Sequence, residues 1–496
     1  MMEQKSSYRQ IVKATSLFGG VQFFQIIISV IRSKFVAILL GPAGMGVVGL
    51  LTATTGLVAG LTNFGLGTSA VKNISEANAT DNHDRISTII AVVRRLVWLT
   101  GLLGSLVTLI ASPWLSQFTF GNKDYTIAFI WISITLLLNQ LSTGELVLLQ
   151  GLRKLQQLAK ANVYGSLAGL VISIPLYYKF GVEGIVPVII ITASSTLFFT
   201  WLFTRNIDTT TKRVSRSTTV LEGKNMLVMG FMISMSGLIS LMVAYMIRIF
   251  INRTGDVADV GFYSAGFTII NTYVGMVFTA MGTDYYPRLS LVASDNTQCK
   301  EQINQQSEIA LLILAPILIT FLVFLNWAII ILYSSQFLSI THMVYWATLG
   351  IFFKALSWAI AFVFLAKGAS KLFFWNELFG SLHGFGFSIL GYHLAGLTGL
   401  GISFLASYML YFIQVFVIAK VKFEFSFNSS LLTIFLIQFL LAVICFAVVI
   451  LVKQPYFYLI GILLIAFSGW YSYKELEKRI GLKEIIQRSI QKFKMK

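Results

Sequence analysis

Seven charged residues stand inside runs of apolar sequence, where a charge is expensive to keep. Arg32 and Lys34 lie seven to nine residues before Gly41 in an otherwise hydrophobic stretch, which at 1.5 Å per residue is on the order of 10 Å inside a helix end. Arg248 takes the equivalent place before a second polar turn. Lys354 falls about midway along the apolar run near 342–366 and Glu377 in the next run, while Glu145 and Asp284 sit nearer the ends of theirs. A charge at the centre of a bilayer costs at least about 2.5–3.5 kcal/mol, so such residues normally face a polar cavity or pair with one another. The deep charges are mostly basic, which suits an anion: guanidinium forks and ammonium groups replace the hydration that a phosphate loses in a low-dielectric layer. Other readings stand beside this one. Arg32, Lys34 and Arg248 are placed to snorkel to a surface, Glu145 and Asp284 to cap or pair with a loop, and Lys354 with Glu377 to form one structural ion pair. Lys354 is the hardest to explain by snorkelling, because the polar residues flanking its run, His342 and Lys367, are each roughly 18 Å away along a helix.

Other chemistry is not written in the chain. There is no Gly-x-x-x-x-Gly-Lys-Ser/Thr loop for a nucleotide phosphate and no His-Glu-x-x-His pair for a metal, and His83, His342, His383 and His393 are scattered. Cys299 and Cys445 are too few for a disulfide framework or a metal site. The expectation is a protein that is not an enzyme and has no cofactor. A membrane-embedded transferase or polymerase, with lipid-linked chemistry between helices, is the enzymatic reading that survives.

Of the 496 residues 56% are hydrophobic and 11% charged, against roughly 25% charged in a soluble domain. The chain is therefore expected to be an all-α polytopic membrane protein. At about 20 apolar residues per crossing, spans fall from the first apolar run to Leu40, then near 45–70, 88–112, 126–150, 158–178 and 184–204. A basic connection with Lys212, Arg213 and Arg216 follows, and six more spans fall near 226–250, 259–285, 307–332, 342–366, 372–393 and 397–419. Two further spans near 430–452 and 456–473 bring the expectation to about 14. The expected domains are a six-helix lobe over 1–204, a basic linker over 205–224, a second six-helix lobe over 225–422, an extra helix pair over 423–473 and a basic tail over 474–496.

The net charge of +17 reflects where the basic residues lie, and implies no nucleic-acid partner. Loops on the N-terminal side carry Lys72, Arg85, Arg94 and Arg95, then Arg153, Lys154 and Lys160, the linker cluster, Lys367 and Lys371; the opposite loops carry little beyond Lys123, Lys179, Arg253 and Lys453. Positive charge marks the cytoplasmic side, so both termini are expected inside. The tail from Lys474 spaces Leu476, Ile480, Ile486 and Ile490 among basic residues, a pattern for an amphipathic helix on anionic lipid or for a plain solvated one.

The two halves also echo each other. Ile31-Arg32 leads through a turn with Gly46 to Gly67, and Ile247-Arg248 leads through a turn with Gly261 to Gly282; Gly46 to Gly67 and Gly261 to Gly282 are each 21 residues, and the two arginines are 216 apart. That is the pattern of an internal transporter repeat with one arginine from each half.

Several of these stretches resemble one family. Lys34-Phe35-Val36-Ala37 through Gly41-Pro42-Ala43-Gly44-Met45-Gly46, the loop 120–125, Val260-Gly261-Phe262-Tyr263 through Asp284 to Ser290, and 366–370 between Lys354 and Glu377 are similar in order and spacing to the O-antigen and enterobacterial-common-antigen type polysaccharide flippases. These belong to the multidrug/oligosaccharidyl-lipid/polysaccharide exporter (MOP) superfamily. The resemblance covers roughly residues 5–420; the family core has twelve helices, so it leaves the last pair unexplained.

The resemblance implies two six-helix bundles around a cationic cavity that faces the two sides alternately. It also implies a bacterial inner-membrane location and a substrate of oligosaccharide repeat units on undecaprenyl pyrophosphate, moved from the cytoplasmic to the periplasmic leaflet, with membrane lipids and other polysaccharide-assembly proteins as partners. Lys34 and Lys354 match family lysines, Arg248 matches to within about one residue, and Arg32 rests on the internal repeat. Glu377 matches a family glutamate suited to tuning the cavity or accepting a coupling proton, a role for which Asp284 and Glu145 are the other candidates. The competing expectation is a multidrug or cation antiporter of the same superfamily, which needs intramembrane carboxylates where this chain has mainly lysine and arginine.

Overall fold

The computed structural model describes residues 2–80, 82–205, 207 and 214–480, with side chains for all of these except 2–23, 273, 283 and 480. Lys212 and Arg213 of the expected linker and the tail beyond 480 lie outside the described residues. Among the described residues the secondary structure is helical, and eleven stretches are long and apolar enough to cross a membrane. The chain is a multi-pass membrane protein.

In chain order the helices are α1 (Met2–Thr62), α2 (Leu66–Ala79), α3 (His83–Phe120), α4 (Thr126–Gly151), α5 (Leu155–Phe180), α6 (Ile185–Thr204), α7 (Arg216–Thr254), α8 (Val257–Thr268), α9 (Gly275–Leu291), α10 (Asn296–Leu332), α11 (Thr341–Ala366), α12 (Ser370–Phe423), α13 (Ser429–Leu451) and α14 (Tyr456–Ile480). A π-helical turn, Ile269–Val274, joins α8 to α9.

Three stretches are long enough for two crossings. α1 has 61 residues, the run Leu155–Thr204 has 50 and the run Ser370–Phe423 has 54, whereas a hydrocarbon core of about 30 Å takes only about 20 residues. Each contains a break. In α1 it is Gly41, at φ 66 and ψ −171, a region essentially reserved for glycine. The turn expected across 41–46 is thus confined to one residue, and helix resumes at Pro42, whose missing N–H makes it a natural first helical residue. Between α5 and α6 the break is the short 3-10 turn Gly181–Gly184. In α12 it is Ala395 and Gly396, the latter at φ 55. The span expected to run to residue 70 instead ends at Thr62, and Phe64 (φ 49) and Gly65 (φ 63) turn the chain into α2.

Packing divides the chain into two compact units. The first is Met1–Gly261 with Leu332–Ser334. Here α3 packs on α4, α5 on α6, and α7 lies against α1, α2 and α3. Its core joins Leu66 and Ile74 of α2, Ile89 and Val93 of α3, Leu148 of α4 and Met226 of α7. The repeat glycines meet inside this unit: a Cβ on Gly46 would lie 1.8 Å from the Val257 carbonyl oxygen, and one on Gly261 would lie 1.9 Å from that of Pro42. Each glycine thus faces the carbonyl four residues before the other, the reciprocal contact that a two-fold-related pair makes. No side chain fits at either position.

The second unit is Phe262–Ile331 with Ser335–Lys496. Its centre is the pairing of α11 with α12, around a core that includes Tyr285 and Leu289 of α9, Ile303 of α10, Phe364 of α11 and Val415 of α12. Tyr285 donates its hydroxyl to the Ala359 carbonyl at 2.7 Å, tying α9 to α11. The last two helices are held by polar contacts. Ser468 donates to Gln438 Oε1 at 2.7 Å and Gln438 donates to Ser472 Oγ at 2.8 Å, and Arg479 Nε donates to the buried Glu308 of α10 at 2.7 Å.

Candidate functional site

Lys354 projects from the middle of α11 into a cage of rings. Its Nζ lies 5.8 Å from the centroid of Phe278 on α9, and 5.8 and 5.3 Å from those of Phe404 and Tyr408 on α12. Phe404 and Tyr408 are four apart, so one helix face presents both rings. The π-helical turn places Asn271 opposite, and its Oδ1 accepts a hydrogen bond from Nζ at 3.0 Å. The extra residue of such a turn re-aims side chains that a regular α-helix would direct elsewhere. Each ring over the ammonium contributes about 0.5–2 kcal/mol. Together with Asn271 they keep a cation inside an apolar bundle, with ammonium donors left over for a ligand.

Glu377 lines the same cavity of about 280 Å³, with Ser357, Phe373, Tyr408 and Tyr411. Tyr411 donates a short hydrogen bond to Glu377 Oε1. Asn376 Nδ2 donates to the Tyr411 hydroxyl at 3.0 Å, and Gln414 Nε2 donates to Asn376 Oδ1 at 2.8 Å. The two halves of α12 on either side of Gly396 are thereby cross-linked, and the carboxyl is oriented by neutral donors. Among the described residues Lys354 and Glu377 form no salt bridge with each other. The arrangement is a cation and a carboxyl that share a cavity while each is held by different neighbours.

The remaining charges are placed differently. Arg32 is partly buried, and its Nη2 reaches the Ser166 carbonyl at 3.4 Å; the gap it fills is left by Gly169, where a Cβ would stand 3.0 Å from that nitrogen. Arg248 is partly buried and donates to the Ala244 carbonyl of its own helix at 2.9 Å. Lys34 is partly buried on α1. Glu145 pairs with Arg94 at 3.8 Å, and Asp284 is exposed and pairs with Arg288 one turn on at 2.7 Å. The structure therefore brings Lys354 and Glu377 together, and gives Glu145 and Asp284 the local ion-pair partners that their places near helix ends allow.

Sequence reasoning missed Asn271, Asn376, Tyr408, Tyr411 and Gln414. A signal was present, because Asn271, Asn376 and Gln414 are amides inside apolar runs, and an amide in hydrocarbon needs a partner. The two tyrosines carry no such mark in a chain with 19 of them.

Long membrane helices here hold a caged cation and an oriented carboxyl in one cavity, and solved structures share the fold. The inward closed lipid II flippase MurJ superposes with a TM-score of 0.70 at 12% identity, covering 94% of this chain and 99% of that one. An inward-facing multidrug-resistance MATE transporter of the MOP superfamily gives 0.70 at 16% identity, covering 81% and 94%. Residues 35–342 match the family described as Polysaccharide biosynthesis protein, and the chain belongs to it. It is also 25% identical over 348 residues, 68% of this chain and 80% of the other, to the Shigella flexneri protein named "Putative O-antigen transporter".

Proposed function

We propose that this protein is an alternating-access flippase that moves oligosaccharide repeat units on undecaprenyl pyrophosphate from the cytoplasmic to the periplasmic leaflet of the bacterial inner membrane, for surface polysaccharide assembly. The observation that carries the reading is Lys354, a cation midway along a membrane helix, caged by rings and hydrogen-bonded to an amide rather than to Glu377. A pyrophosphate can accept the hydrogen bonds that the remaining ammonium donors of Lys354 offer. Arg32, Lys34 and Arg248 are assigned to the same anion on its way across. Glu377 is assigned to tuning the cavity potential or carrying a coupling proton. Asp284 and Glu145 have partners of their own and are weaker candidates for that role.

The topology that goes with this function has 14 crossings. The eleven apolar stretches become fourteen when the breaks at Gly41, at Gly181–Gly184 and at Ala395–Gly396 each divide one stretch in two. An even number places both termini on one side, and the loop charges make that side the cytoplasm. Six crossings precede the basic connection 205–224 and six follow it, with α13 and α14 as an added pair.

The test is flipping of a fluorescent lipid-linked oligosaccharide by purified protein in proteoliposomes. The wild type is expected to flip it, Lys354→Gln to lose at least tenfold in rate, and Lys354→Arg to keep part of it. The double variant Lys354→Gln, Glu377→Gln removes both charges, which often leaves a buried pair's stability intact, and is expected to fold yet not transport. Full transport by the double variant would falsify the substrate-contacting role of Lys354.

A further inference from the structure

A second, wide-open hollow of about 470 Å³ adjoins the lysine cavity. It is lined by Phe278, Gly282 and Tyr286 of α9 and by Trp358, Phe362 and Leu365 of α11. Trp358, Phe362 and Leu365 line the lysine cavity as well. Phe278 joins the two in another way: its ring stands 5.8 Å from Lys354 Nζ and 5.5 Å from the ring of Trp358. One aromatic side chain thus separates an ammonium group from an almost wholly apolar hollow.

Gly282, the repeat glycine of the second half, is a wall of that hollow. The nearest atoms to a Cβ there are Trp358 Cζ2 at 3.5 Å and Phe362 Cζ at 3.7 Å, an ordinary contact distance. No backbone crowds the position, unlike Gly46 and Gly261, so helix packing does not require a glycine. What its lack of a side chain does is leave the hollow open.

We propose that this hollow binds the head-proximal isoprene units of a polyprenyl pyrophosphate whose pyrophosphate lies at Lys354. The chemistry of the wall selects the occupant. A sugar ring needs several hydrogen-bonding groups to replace its hydration, and the cavity offers the hydroxyls of Thr279 and Tyr286 alone. Aromatic rings around an apolar space suit a branched hydrocarbon. The hollow's place beside the cation matches a hydrocarbon joined directly to an anion. The inference rests on the anion reading of Lys354 and adds where the lipid chain begins.

Binding of inorganic pyrophosphate, farnesyl pyrophosphate and farnesol to the purified full-length protein in detergent tests it. Farnesyl pyrophosphate is expected to bind at least tenfold tighter than inorganic pyrophosphate, a difference of about 1.4 kcal/mol. Gly282→Leu fills the hollow, and is expected to erase that increment while leaving inorganic pyrophosphate binding unchanged; Thr279→Phe fills it from the next turn and should do the same if Gly282→Leu does not fold. Gly282→Ala, whose Cβ fits, is expected to keep the increment. Lys354-dependent binding of inorganic pyrophosphate with no gain from the farnesyl chain would overturn the isoprene site and spare the anion reading. A gain that persists in both filled variants, or an equal gain from dodecyl pyrophosphate, would overturn it too. Absence of any Lys354-dependent anion binding would remove both readings.

Discussion

Glu377 and Lys354 share a cavity, yet each is held by a different neighbour: Asn271 accepts from the lysine, and Tyr411 donates to the carboxyl. The Tyr411 hydroxyl donates to the carboxyl and accepts from Asn376, which is itself held by Gln414. Tyr411→Phe removes the donor alone. It is expected to lower stability by about 0.6–1.7 kcal/mol, the range measured for polar contacts between membrane helices. Adding Glu377→Gln to Tyr411→Phe should cost less than the sum of the two single changes, because both act on the same Tyr411–Glu377 hydrogen bond. Thermal unfolding of the four proteins in detergent measures this, and strict additivity would show that the two side chains are not coupled. Lys354 and Glu377 are legible in the chain because a charge in an apolar run stands out. Tyr411 is not, since its meaning comes from the α12 hairpin; Asn271 is marked as an amide in an apolar run, but its partner is set by the π-helical turn.

Helix ends were readable where glycine marks them. The gap expected between spans at 393–397 contains the break at Ala395 and Gly396, and the gap at 178–184 contains the turn Gly181–Gly184. Gly65 was not foreseen as the point where the chain turns into α2, although Asn63, Gly65 and Gly67 are turn-forming residues. The added pair is the other element whose attachment the sequence hides. Arg479 of α14 donates to Glu308 of α10 and to Ser430 of α13, 171 and 49 residues away. Glu308→Ala is expected to destabilise the protein by about 1.5–3 kcal/mol, as for a lost hydrogen bond to a charged group. The loss should fall on α13 and α14: limited proteolysis would release a C-terminal fragment sooner than in the wild type, and an unchanged digestion pattern would show that the bridge does not hold the pair.

For the whole molecule, the proposed topology places residue 214 and the C-terminal tail inside. In a variant without Cys299 and Cys445, both free and buried, single cysteines introduced by Val214→Cys and Ile490→Cys should resist an impermeant reagent applied to intact cells. Lys123→Cys should react. Outside labelling at position 214 or 490 would sink the assignment. Composition alone determined that this chain lives in a membrane, because 56% hydrophobic residues leave no soluble core that could contain them. Spacing and deep charge pointed to a transporter of an anionic substrate, since solvation energy depends on residue type and depth and hardly on partners. Only the tertiary structure decided which charges meet. Whether Lys354 faces Glu377 or a ring of aromatics depends on the rotation of α9, α11 and both halves of α12 about their axes. That rotation is set by side-chain packing between segments far apart in the chain, and hydrophobic periodicity does not record it when helices are apolar on every face.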